Sequence, residues 1–429
     1  MKKLFLSAAI TTVLAQGTAF ANPTTNAITS NTDDDIVVAG DYIQVALPLT
    51  GLFAAWLHDD AEGAKQLTYS LATTIGIVQA GKYAVGRIRP NSSNSASFPS
   101  GHTAAAFSGA AFLQSRYGAK WGLPAYAAAS FVGASRVHGN RHYADDVVAG
   151  AGIAFLTNQF FVSEYTPEGV NLSAAPMKDG MMVNVSLTND AFEYDSDRKR
   201  TNPVYAKKKV HSFTLDIGFN LYDSMGDLGA NQTIENSAPV DEYQPFSRAI
   251  YAYQLNDDSA IEFQLAPNET RRTGKVSGGF EIDNNTYAQG EDIFIALRQW
   301  SAGALYQKQY QVSDAVSLTA GAGLYAYLLD IETDLIDGGK HSKLSSTPVL
   351  PSVSAEMEYA FNDKWSVMGR MDYQIFDRDR VFASETGVNY KVNPDWTVAL
   401  KYAYTNNNWE MYQTRYRSES VLLSVTNRF

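Results

Sequence analysis

Three short segments hold residue types that together can grip and transfer a phosphate. They are Lys82–Pro90 (KYAVGRIRP), Pro99–His102 (PSGH) and Ser135–Asp146 (SRVHGNRHYADD). In the first, Lys82 and Arg89 are seven apart and share a face if a helix reaches that far, with Pro90 stopping it. Arg offers a forked donor set for phosphate and Lys a point charge. Arg87 is close enough to be confused with Arg89 as the ligand. In the second, Ser100 is placed to cap an Ala-rich helix. The free N–H groups and dipole of that first turn attract an anion, and Gly101 lets a phosphate oxygen approach the backbone. His102 then stands beside the anion.

In the third segment, His142 and Asp146 are four apart and meet if both lie on a helix. A carboxylate on one imidazole nitrogen fixes the tautomer and leaves the other nitrogen free to attack. Arg136 supplies a second fork. Asp145 points elsewhere on such a helix, and His138 lies off the pattern. Each segment alone has a plainer reading: a solvated basic face, an ordinary cap, a surface ion pair. Their conjunction, with three of the chain's six histidines between 102 and 142, points to phosphate chemistry.

The segments read K-x6-R-P, P-S-G-H and S-R-x5-H-x3-D. In this they resemble the signature of the type 2 phosphatidic acid phosphatase superfamily, which includes vanadium haloperoxidases. The resemblance covers roughly residues 42–163. It implies a helical bundle and metal-independent phosphate removal through a phosphohistidine, with no cofactor. By that resemblance Lys82, Arg89, Ser100, Gly101 and Arg136 bind phosphate. His102 is the general acid, His142 the nucleophile and Asp146 its orienter. The same oxyanion site would suit a vanadate-dependent haloperoxidase. A third reading is an outer-membrane channel or structural protein with an inactive helical domain.

The elements that must position these residues fall into two halves. Apolar, Ala-rich stretches at roughly 42–57, 66–85, 101–117, 121–135 and 142–163 read as helices. Their uncharged runs fall short of the 18 or more residues of a confident membrane span, so a periplasmic bundle is expected. From about 180 the period becomes 2. Trp396, Val398, Leu400, Tyr402 and Tyr404 alternate with Thr397, Ala399, Lys401, Ala403 and Thr405, and residues 316–328, 349–361 and 365–375 behave likewise. Strands of about 10–14 residues are long enough to cross a bilayer. Short turns at 313–314, 362–363 and 393–395 alternate with long polar loops near 225–245, 267–290, 331–347 and 405–418, and Trp365 and Trp396 sit where an aromatic girdle would lie. Phe429, in phase with Val421, Leu423 and Val425, resembles the C-terminal signal of bacterial outer-membrane barrels, which implies handling by the barrel assembly machinery.

The expected class is therefore multidomain α plus β: an N-terminal all-α phosphatase bundle and a C-terminal antiparallel transmembrane β-barrel of about ten strands, or twelve if 181–189 joins it. Residues 1–21 read as a signal peptide, with a basic start, an apolar run and Ala19-Phe20-Ala21. Residues 22–40 read as a polar leader, 41–165 as the helical domain, 166–180 as a linker and 181–429 as the barrel. The 429 residues hold no cysteine, which excludes disulfides, thiol catalysis and thiolate metal sites, and no other metal site is expected. A net charge of -11 argues against a nucleic-acid partner. With both chain ends of the barrel in the periplasm, the helical domain is expected to hang beneath the outer membrane. There its substrate would be a phospholipid, another lipid-linked phosphate or a periplasmic phosphate ester.

Overall fold

The computed structural model describes residues 34–165, 170–177, 180–187, 209–225, 234–240 and 244–429. The expected signal peptide lies outside them. Among the described residues five helices come first: α1 (Asp35–Leu57), α2 (Ala61–Val85), α3 (Gly101–Tyr117), α4 (Ala119–His138) and α5 (Ala144–Phe161). Helix α1 starts inside the stretch expected to be a leader: Asp34 caps it by accepting from the N–H groups of Ile36 and Val37. The helices run alternately up and down. Small residues let them approach closely around Leu47, Ala54, Leu67, Phe107, Phe112, Tyr126 and Val132. At one end of the bundle Asp60 caps α2 and also accepts from Arg116 and Tyr117 of α3. At the other end lie all three chemistry-bearing segments.

Among the described residues, strands β1 (Val170–Met177) and β2 (Gly180–Leu187) pair with each other and not with the ring, so residues 181–187 of the segment expected at 181–189 do not join the barrel. The ring begins at β3 (His211–Met225), past a short β4 (Ile234–Pro239). It continues through β5 (Pro245–Gln254), β6 (Ser259–Val276), β9 (Asp292–Gln311) and β10 (Val316–Leu335). It closes through β12 (Val349–Ala360), β13 (Trp365–Phe376), β14 (Asp379–Asn393), β15 (Trp396–Trp409) and β16 (Thr414–Arg428), which pairs back onto β3. That makes ten antiparallel strands with no open edge. A small hairpin, β7 (Phe280–Ile282) with β8 (Asn285–Tyr287), and the strand β11 (His341–Ser346) decorate one rim. At that rim β6, β10, β15 and β16 extend into stretches expected to be loops.

Period 2 sorts the side chains between two faces. On β12, Val353, Met357 and Tyr359 are exposed outward while Ser352, Glu356 and Glu358 turn inward. The lumen is crossed by ion pairs between strands that are not neighbours: Arg370 with Glu262 at 2.9 Å, and Arg248 with Glu385. Above them Leu305, Tyr325, Tyr327 and Trp409 pack together.

The helical domain does not hang beneath the barrel rim, as expected, but lies along the barrel's outer wall. Outward-facing Phe213, Leu215, Ala249 and Leu265 form one core with Val148, Ile153, Phe155 and Leu156 of α5. The Phe155 ring lies 4.8 Å from that of Phe213 and 5.4 Å from that of the C-terminal Phe429, while Phe160 meets Trp396 at 6.1 Å. Higher on the wall Trp300 is covered by Val137, Ala144 and Val147. The continuous apolar contact explains the arrangement: the α5 face has no other core to join.

Candidate active site

The first segment is a helix end followed by a loop. Gly86 takes φ 62 and its N–H returns to the Lys82 carbonyl, so α2 stops at Val85. Arg89 therefore does not share a helix face with Lys82. The 86–100 loop brings it in, pinned by Ser97 N–H to the Arg87 carbonyl (3.0 Å) and Asn91 N–H to the Asn140 carbonyl (3.1 Å). Lys82 Nζ donates to the Ala96 carbonyl at 2.5 Å. The Nε atoms of Arg89 and Arg141 are buried with no hydrogen-bond partner, and Arg89 lies in the field of both Arg141 and Arg136. Four cations thus converge here, and like charges held together favour an anion between them.

Ser100 caps α3 as expected, sharing a 2.9 Å hydrogen bond with the Thr103 hydroxyl. Its own N–H donates to the Asp146 carbonyl at 2.9 Å. This close crossing needs Gly150, where a Cβ would stand 2.5 Å from the Ser100 carbonyl oxygen. Gly101 opens α3 beside the Lys82 stem, a Cβ there lying 3.9 Å from Lys82 Cε. The first-turn amides therefore sit next to the Lys82 ammonium.

His142 and Asp146 do meet, but not across a helix face. His142 precedes α5, in a turn made after Gly139 ends α4. Asp146 is the third residue of α5 and its carboxylate folds back to accept from the Tyr143 N–H at 2.9 Å. The same oxygen accepts from Ser97 Oγ at 2.5 Å and faces His142 Nδ1 at 3.4 Å. The other oxygen accepts from Arg87 Nη1 at 2.8 Å. With Nδ1 turned to the carboxylate, His142 Nε2 is the atom left for attack. Burial pushes the His142 imidazole down to about 4, against the opposing pull of Asp146.

Arg87 is the second surprise. It is no phosphate ligand: its Nη1 also reaches both oxygens of Asp145, at 2.7 and 2.8 Å, so one guanidinium holds two buried carboxylates. Asp145 likewise turns inward rather than away. His138 has a structural role, meeting Asp34 at the start of α1 at 3.1 Å.

Arg136 is engaged from α1. It donates to Asp41 at 2.5 Å and to the Val37 carbonyl at 2.6 Å. Gly40 permits this, since a Cβ there would lie 2.6 Å from Arg136 Nη2. Asp41 also meets His102 Nε2 at 3.2 Å, so a carboxylate bridges two residues assigned to phosphate and proton transfer. His102, at the start of α3, is pushed down to about 4 by burial and by the Arg136 charge, with Asp41 opposing. All eight residues singled out in the sequence come together at one end of the bundle. Sequence reasoning missed Asp41, Arg141, Ser97 and the orienting role of Arg87. Asp41 had a signal: it is the lone charged residue between Asp35 and His58.

Comparison with known proteins falls into the same two halves. Residues 63–166 match the PAP2 superfamily, and residues 285–427 match a family described as LPS transport system D. The chain is 36% identical over 126 residues to the lipid A 1-phosphatase of Porphyromonas gingivalis, covering 27% of this chain and 28% of that protein. It is 39% identical over 80 residues to the lipid A 4'-phosphatase of Helicobacter pylori, covering 19% of this chain and 40% of that protein. The chain thus spans less than half the length of these relatives. Among solved structures, the translocator domain of autotransporter NalP from Neisseria meningitidis aligns at 13% identity and TM-score 0.31, covering 53% of this chain and 90% of that one. The outer membrane protease OmpT from Escherichia coli aligns at 8% identity and TM-score 0.30, covering 52% and 94%.

Proposed function

We propose that this chain, whose residues 63–166 form a PAP2 superfamily domain, removes a phosphate from a membrane lipid without a metal ion, from a domain fixed to an outer-membrane barrel. The carrying observation is the His142–Asp146 pair set among Lys82, Arg89, Arg136 and the first turn of α3. The lipid A phosphatases among its relatives support a phosphorylated glycolipid as substrate.

His142 Nε2 attacks phosphorus in line. The P–O bond to the leaving group breaks as the N–P bond forms, giving a phosphohistidine. The cations and the free N–H groups of α3 stabilise charge on the equatorial oxygens. His102 protonates the leaving oxygen, then takes a proton from the water that hydrolyses the phosphohistidine. The proton that His102 gives the leaving oxygen comes in on the substrate's phosphate, and the proton that it takes from water leaves with inorganic phosphate, so both histidines end neutral, as they began. Asp146 holds the tautomer of His142 throughout.

The outer membrane as location is supported by closure of the ten-strand ring and by its exposed apolar outer face. Insertion would require the barrel assembly machinery. The cross-lumen pairs Arg370–Glu262 and Arg248–Glu385 support an anchoring role over a channel. The test is phosphate release by the purified full chain from lipid and soluble phosphates in the presence of a chelator, with His142→Ala as blank. Release from lipid that is lost in the variant supports the reading. Equal release by the variant overturns it.

A further inference from the structure

We infer that the helical domain is itself embedded in the outer membrane beside the barrel, with its phosphate site level with the external leaflet, so that the substrate is a phosphate-bearing lipid entering sideways from that leaflet. The placement rests on packing, charge and height; the substrate rests on the phosphatase reading.

The packing surface is the first observation. The residues of β3, β5, β6 and β16 that meet α5 belong to the same outward face that elsewhere on the ring exposes Val353, Met357, Met371, Leu400 and Leu423. A barrel that spans a bilayer turns that face to lipid. A bundle seated on it shares the lipid's depth.

Charge placement is the second. Residues 42–57, 66–81, 103–115, 121–135 and 147–161 carry no Asp, Glu, Lys, Arg or His. These runs lie side by side, one per helix, and at 1.5 Å per residue each is about 20–24 Å long. That matches the roughly 25 Å apolar band of an outer-membrane barrel. Every Asp, Glu, Lys, Arg and His of the five helices lies beyond one end of this belt or the other. Where the belt faces away from barrel and core it is mostly apolar: Val45, Leu49, Phe53 and Trp56 of α1 and Ile75 and Ile77 of α2 are exposed, with Thr68 and Gln79 of α2 the polar exceptions. In water this would be an extended apolar patch; against lipid it is ordinary. The helix α1, at 23 residues and mean hydropathy 1.6, is long and apolar enough to cross a membrane. Single-run lengths hid this in the sequence. The register of five short runs reveals it.

Height is the third. The C-terminal end of α5 touches Trp396 and Phe429 at the rim that carries the short turns and both ends of the ring, the periplasmic rim of such barrels. Its N-terminal end, with Tyr143 and the catalytic pair, reaches Arg271 on β6. Arg271 is 12 residues along β6 from Ser259, about 30 Å of height at the usual tilt, and Ser247, which bonds the Asp145 carbonyl, is 7 residues along β5 from Gln254, about 18 Å, so the catalytic pair lies between them, near the top of the apolar band. The hydrocarbon core is about 30 Å thick. The phosphate site therefore stands at the far headgroup level, where a lipid phosphate lies while its acyl chains flank α1 and α2.

The chain has no cysteine, so single cysteines report cleanly. Nitroxide labels at Leu49→Cys and Ile75→Cys in proteoliposomes of the full chain should show the same preference for oxygen over a soluble nickel quencher as a label at Met357→Cys on the barrel band. Nickel access equal to that at Ser93→Cys would overturn the embedding. In whole cells, a membrane-impermeant maleimide should modify Ser93→Cys in the loop at the site end. Asp59→Cys at the opposite end should react only after the outer membrane is permeabilised. The reverse pattern would overturn the leaflet. Neither label depends on turnover, so a protein that passes both and releases no phosphate refutes the phosphatase reading and leaves the placement standing. With the labels as predicted, vesicle-borne lipid phosphate should be hydrolysed at least 100-fold more efficiently than a soluble monoester. Equal efficiency would overturn lateral entry.

Discussion

Arg271, on the outer face of the barrel strand β6, donates a hydrogen bond to the hydroxyl of Tyr143, the residue that follows His142. Its guanidinium lies 4.0 Å from the Tyr143 ring centroid, and the Arg87 guanidinium stacks on the same ring at 4.0 Å. Ser247 of β5 adds a 2.7 Å hydrogen bond to the Asp145 carbonyl. The turn that carries His142 is thus clamped between a helical-domain cation and a barrel cation.

Arg271 acts through Tyr143 and is a positioning residue. Arg271→Met should lower kcat about 10- to 100-fold with little change in KM, because a small displacement of the attacking atom costs rate rather than binding. Tyr143→Phe should show the same split more weakly. Steady-state kinetics check this; a change confined to KM would contradict it.

Arg87 neutralises two buried carboxylates. Removing one partner of a buried ion pair costs about 3–5 kcal/mol. Arg87→Ala should therefore lower the unfolding midpoint of the helical domain and abolish turnover. Arg87→Lys keeps the charge but not the ring stacking on Tyr143. It should recover most of the stability and less of the rate, as measured by thermal unfolding alongside activity.

Asp41 bridges Arg136 and His102, at 2.5 and 3.2 Å. An incoming phosphate must share or displace that carboxylate. Asp41→Asn should tighten competitive inhibition by inorganic phosphate about 10-fold by freeing Arg136. It should also make His102 harder to protonate, since Asp41 favours the charged imidazole. An unchanged inhibition constant would show that Arg136 does not meet phosphate.

The pH profile follows from the two histidines. Burial holds His142 down to about 4, so it stays neutral, and nucleophilic, until the pH falls to that value. The acid limb of kcat/KM should lie near pH 4, below the ordinary imidazole range. His102 is also down at about 4, so it is neutral in the free protein near pH 7. The proton it delivers must then arrive with the phosphate monoanion, whose second ionisation falls near pH ~6. The alkaline limb should lie there. A rate that is flat from mildly acidic to alkaline pH would contradict the assignment.

The site was legible because its chemistry is local: each segment supplies its own residues, and folding only had to stack three loops at one end. The ten-strand ring was legible because period 2 persists over long strands. Three features were not. The route by which Asp146 reaches His142 depends on where α5 starts, which its Ala-rich sequence does not mark. The partnership of Arg87 with Asp145 joins residues 58 apart, and at sequence level Arg87 is one of two equivalent arginines. The seat of the bundle on the barrel wall depends on which apolar faces find each other, and period alone says only that both faces are apolar.

The most direct test of the account is capture of the covalent intermediate. The full chain, mixed with a lipid phosphate carrying labelled phosphorus and quenched within milliseconds into alkali, should carry acid-labile, alkali-stable label on His142. His102→Ala should leave the label formed slowly, and His142→Asn should carry none. Turnover that proceeds at full rate in His142→Asn, or label that maps to another residue, would contradict the account.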